Sequence, residues 1–177
     1  MARLKILLLL LTIQICFGQE KTEHFVDKLK YEIPDPLNWE LKINSAMKGI
    51  DFGLIAFEKK APDNKQSKAG MAIVFTKIPD DMDLQKFSIR ESAKHEWKVI
   101  KKYETGELTD FTNSVSYEAV SIDEKESYYI VHAVHENIGI QVMCVATKKV
   151  FKEEKVEFRK FIKSVFVSSE KNRNKQE

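Results

Sequence analysis

Cysteine, glycine and net charge are all scarce here, and each shortage closes off a class of protein. Two cysteines stand in 177 residues, Cys16 and Cys144. Cys16 lies in a leader segment, so removal of the leader leaves Cys144 alone, without a partner for an intramolecular disulfide even in an oxidising compartment. The fold must then be held by its core. About 140 residues suffice, burying roughly two-thirds of the unfolded surface. With six glycines and no glycine-rich run there is no phosphate-cradling loop, and no G-x-S-x-G elbow occurs. No Asn-x-Ser/Thr acceptor is present, and no internal repeat. "DNK" and "DEKE" lack the spacing of a calcium loop.

The start, "MARLKILLLLLTIQICFGQE", joins Arg3 and Lys5 to an apolar core and then to small residues. This is the pattern of a secretory signal peptide, 1–18, cleaved after Gly18. The apolar run is shorter than the roughly 20 residues of a membrane span. Export to a periplasmic or extracellular space is expected, with retention by a membrane anchor as the alternative. Ile15 before Cys16 argues against a lipid on that cysteine. The 29 basic residues exceed the 27 acidic ones by two, and both extra charges, Arg3 and Lys5, belong to the leader. The processed chain is neutral overall, with no global electrostatic footprint for nucleic acid or an anionic membrane, although local patches remain open.

After a polar lead-in, 19–30, one domain is expected over 31–167, followed by a charged, disordered tail, 168–177. Pro34 and Pro36 lack a backbone donor and force a bend between a short entry strand and a strand near Trp39 to Ile43. "DFGLIAFEKK" and "GMAIVFTKI" form a hairpin with a long polar tip. Asp80, Asp81 and Asp83 crowd the start of a mid-chain helix. Leu84, Phe87, Ser88, Glu91 and His95 share one of its faces, Met82, Ile89, Ala93 and Trp97 the other, so its buried side is open. Strands follow at "WKVIKKY", ending in the turn Glu104-Thr105-Gly106, and at "NSVSYEAVSID". Two more come from "SYYIVHAVHENIGIQVMC". In the closing helix, Phe158, Phe161, Ile162, Val165 and Phe166 form one apolar face that begins near Phe158, because Glu154 and Lys155 occupy the previous turn. The order predicts an α+β domain, layered around a mainly antiparallel sheet.

The entry "YEIPDPLNWEL", the hairpin end "GMAIVFTKIP", the helix after it and the close "FKEEKVEFRKFIKSVF" resemble, in order and spacing, the PsbP-like superfamily. That superfamily includes PsbP, DcrB-type envelope proteins and the yeast Ran-binding Mog protein. The resemblance spans about 31–167. It implies an α-β-α sandwich and a non-catalytic accessory role, acting by docking to a partner protein. It assigns no partner-binding residue.

His132, His135, Met143 and Cys144 suggest a soft-metal site. Histidines three apart on a strand point to opposite faces, so they cannot share one ion. A loop Asn137-Ile138-Gly139, with Gly139 free to take positive φ, would set Glu136 opposite Ile140 and His132 opposite Cys144. That His132–Cys144 pair is the one to check. Two ligands fall short of the four of structural zinc. A nucleophilic Cys144 needs an exposed thiolate, whereas its mid-strand apolar setting raises the thiol pKa. Packing is the expectation for both residues, and for Trp39 and Trp97. No catalytic residue, cofactor or metal is assigned. Two other functions stand beside docking, a small-molecule or lipid carrier using a sheet–helix cleft and a weak hydrolase.

Overall fold

The computed structural model describes residues 29–47, 52–61 and 67–167. The leader, positions 19–28 of the lead-in and the tail lie outside the described residues. A seven-stranded antiparallel sheet runs β2 (Trp39–Met47), β3 (Phe52–Lys59), β4 (Ala69–Lys77), β8 (Ile138–Thr147), β7 (Glu126–His135), β6 (Ser114–Ser121) and β5 (Trp97–Tyr103). A small second ladder pairs β1 (Leu29–Lys30) with β9 (Phe166–Val167). Helix α1 (Leu84–Ser92) lies on one face and α2 (Lys148–Ser164) on the other. The architecture is the expected α-β-α sandwich.

Strict alternation along β3, β4, β7 and β8 supplies a residue to each face in turn. One face carries Phe57, Met71, Ile73, Tyr129, Val131 and Val142, all buried under α2. Phe151, Phe158, Phe161 and Ile162 of α2 fill that layer. Phe161 meets Phe57 edge to face at 5.8 Å, and Phe158 meets Trp39 at 6.0 Å. Trp39 is therefore a core residue.

Three boundaries differ from the sequence reading. α2 begins at Lys148, three residues before the expected closing element at Phe151 and ten before its apolar stripe, and its first turns meet the sheet through Phe151 and two charged side chains. Glu154 bonds Lys59, and Lys155 bonds Glu118 while lying over the rings of Tyr129 and Phe151. The helix also stops before Val165 and Phe166, placed on its face from the sequence. Val165 turns to extended backbone, and Phe166 and Val167 pair with the chain's entry. For the same reason Leu29 and Lys30 belong to the domain rather than to the lead-in, and the folded unit starts before residue 31.

Asp83 caps α1, its carboxylate accepting from the Lys86 amide. The side left open by the sequence is decided by Phe87 and Glu91, which are buried, while Ile89 faces out. Phe87 lies flat over Gly139 of β8, where an added Cβ would sit 2.2 Å from its ring. This close approach is why position 139 is glycine. Gly139→Ala should cost about 1–3 kcal/mol by forcing Phe87 off its seat, read as a lower urea midpoint. An unchanged midpoint would refute that packing.

Candidate functional site

The β7–β8 hairpin turns tightly on Glu136 and Asn137, with Glu136 taking the positive φ of 52° that the sequence reading assigned to Gly139. This two-residue loop shifts the register by three from the expected one. His132 faces Gln141, and Cys144 faces Tyr129. An odd shift also exchanges faces. His132 points toward α1, whereas the Cys144 sulfur lies 4.0 Å from the Phe158 carbonyl of α2. The proposed His132–Cys144 pair is thus separated by the sheet. Burial pushes the Cys144 thiol well above its ordinary pKa, which leaves little thiolate for chemistry. Among the described residues no group of three or more His, Cys, Asp or Glu is placed to hold a metal ion.

His132 does organise a cluster, which sequence reasoning missed because its members come from four elements. Its Nδ1 lies 2.9 Å from both Ser88 Oγ of α1 and Tyr117 Oη of β6, and its Nε2 lies 3.0 Å from Gln141 Nε2 of β8. Tyr117 Oη also lies 2.9 Å from Ser92 Oγ, one turn along α1 from Ser88. Phe87 and Tyr117 meet the imidazole edge to face. Glu91, buried beside them, is held by Arg90 at 2.9 Å and Lys94 at 2.6 Å. Two serines at i and i+4, opposite a strand tyrosine, are the faint signal that a reader of the sequence could have used.

A serine hydroxyl against an imidazole suggests a nucleophile and its base. The setting argues otherwise. His132 is fully inaccessible, and burial lowers its pKa to about 4, opposed by the Glu91 charge, which leaves it a weak base near neutrality. The nitrogen remote from Ser88 meets an amide in place of an orienting carboxylate. Burial also raises the Tyr117 hydroxyl pKa. What the cluster does is fasten a short helix to a sheet through directional bonds.

Beyond α1 the same face opens. Val99 of β5, Tyr128 of β7, Met143 and Val145 of β8, and Ala72 and Val74 of β4 are partly or largely exposed there. At its border the His95 ring stacks on Trp97 at 4.3 Å, and Trp97 packs on Tyr128 at 5.8 Å. Desolvation lowers the His95 pKa against the pull of Glu91, so that stack is neutral near pH 7.

No family model and no curated protein matches the chain. Among solved structures it is similar to the solution structure of cyanobacterial PsbP (CyanoP) from Synechocystis sp. PCC 6803. The TM-score is 0.50 at 12% identity, covering 88% of this chain and 98% of that one. The fold is PsbP-like. At such low identity the likeness is one of architecture, and it leaves the sites to be argued from this chain's own residues. No described helix is long and apolar enough to cross a membrane.

Proposed function

We propose that this PsbP-like chain is an exported, non-catalytic accessory protein that acts by docking to a partner protein. The observation that supports it is the open end of the α1 face. A nine-residue helix leaves Tyr128, Met143 and Val145 partly uncovered beside the Trp97–His95 stack. An aromatic and methionine surface with a charged border is how protein interfaces are built. The resemblance to the PsbP-like superfamily points the same way, since it implies an accessory role by docking. The basic leader supports export.

Val99 borders this surface on the outermost strand and is already exposed, so Val99→Asp leaves the core intact. Capture from the chain's own envelope or extracellular fraction should recover a reproducible protein with wild type and lose it with Val99→Asp, at unchanged melting temperature. Equal recovery by both would remove the surface from consideration. Recovery of the chain alone with bound lipid would favour the carrier.

A further inference from the structure

The opposite side of the molecule carries a second surface of different chemistry. At 3.6 residues per turn, Lys152, Arg159 and Lys163 fall on one outer flank of α2, spread over about 16 Å. That flank faces β5. Arg159 reaches the Tyr103 hydroxyl at 3.4 Å, and Lys101 lies 4.2 Å from the centre of the same ring. Glu118, the carboxylate between them, already accepts from the Tyr103 hydroxyl at 3.0 Å and pairs with Lys155 at 3.3 Å. Glu153 and Glu157 lie round the helix on its other side, and Glu154 turns inward to Lys59. A neutral processed chain thus concentrates positive charge on one side. Two aliphatic side chains stand out on it, Val156 at 80% exposure and Ile100 at 53%.

We infer that this flank of α2, with the adjoining side of β5, seats the protein on an anionic bilayer surface. Three features favour a bilayer. The outer edge of β5 is interrupted by an irregularity between Val99 and Lys101 and flanked by lysines, which are devices that prevent a partner strand from adding. The rings of Tyr103, Tyr129 and Phe151 are already covered by Lys101, Lys155 and Arg159, so they offer no bare aromatic anchor to a protein and no stacking platform to bases. An anionic bilayer needs only what is present, a row of cations within a Debye length and a few aliphatic tips.

The test is co-sedimentation of the exported chain with vesicles of phosphatidylglycerol and phosphatidylcholine, against phosphatidylcholine alone, over rising salt. Binding should require phosphatidylglycerol and weaken with salt. Each unit of positive charge lost should cost about fivefold, so Lys152→Glu, Arg159→Glu and Lys163→Glu together should reduce binding by more than about a hundredfold. Arg159 also bonds the Tyr103 and Tyr129 hydroxyls. The double variant Lys152→Glu, Lys163→Glu leaves those bonds in place and alters two exposed positions. It should keep the wild-type melting transition and still lose most binding, which separates lost binding from lost folding. The triple variant also controls for any contribution of the leader. Binding that is equal on neutral vesicles, absent at low salt, or unchanged in the triple variant would overturn the inference. So would retention on immobilised polyglutamate without binding to vesicles, which would assign the flank to an acidic protein.

Discussion

Phe161→Asp should leave the protein unfolded or insoluble. Phe161 is 2% exposed, on the face by which α2 closes the sheet, with its ring edge-on to Phe57. Truncating a buried phenylalanine costs about 3–5 kcal/mol. A carboxylate in its place adds the penalty of an unpaired buried charge, about 3 kcal/mol or more by analogy with broken buried pairs. The total is comparable to a domain's entire net stability of about 5–15 kcal/mol. Val156→Asp, on the exposed side of the same helix, changes helix propensity and surface charge alone and should stay within about 0.5 kcal/mol. The comparison is made by circular dichroism melts of both variants. A soluble Phe161→Asp protein with an unchanged melting temperature would refute the docking of α2.

Acid should loosen the protein through His132. Its pKa in the fold, about 4, lies below the ordinary 6.5, so between those values the unfolded chain binds the extra proton. Stability from the neutral imidazole is therefore complete above pH 6.5 and is lost as pH falls through 4. A depression of that size corresponds to about 3 kcal/mol. His95 is also lowered, which acts in the same direction. Groups acting on the imidazole are Ser88, Ser92 and Glu91 of α1, Lys94 and His95 just beyond it, Tyr117 of β6 and Gln141 of β8. His132→Gln should be less stable at pH 7 and should lose less stability than wild type between pH 6.5 and 4.5, measured by urea unfolding. Parallel curves would show that His132 is not the source of the acid loss, because the carboxylates titrate in both proteins.

The cluster around His132 shows why sites were harder to read than elements. Periodicity in "SYYIVHAVH" makes a strand and separates His132 from His135, and both conclusions follow from the pleat alone. The partner of His132 depended on loop length. Asn137-Ile138-Gly139 read as the turn because glycine is the residue that takes positive φ cheaply. The chain instead bends at Glu136 and uses Gly139 to admit Phe87 from a helix about fifty residues away in sequence. Nothing local records that demand. Ser88 and Ser92 likewise look like ordinary polar positions until Tyr117 and His132 are brought beneath them.

The surfaces follow the same division. Charge counting gives a near balance, 29 basic residues against 27 acidic ones, and is silent about the sides of the molecule. The helical period of α2 already sorts its lysines from its glutamates. Only the docking of α2 beside β5 joins those lysines to Lys101 and the Tyr103 ring.

By itself, the sequence determined what depends on neighbours along the chain: the alternation of the strands, the Asp83 cap, the apolar face of the closing helix, and from their order an α+β sandwich. The tertiary structure alone decided what depends on distant segments meeting. That includes the buried side of α1, the register placing His132 against Gln141 and Cys144 under α2, the pairing of Leu29 with Val167, and the gathering of cations on one side. Local backbone preference is encoded within a few residues, whereas each of these arrangements is selected by packing between segments far apart in sequence.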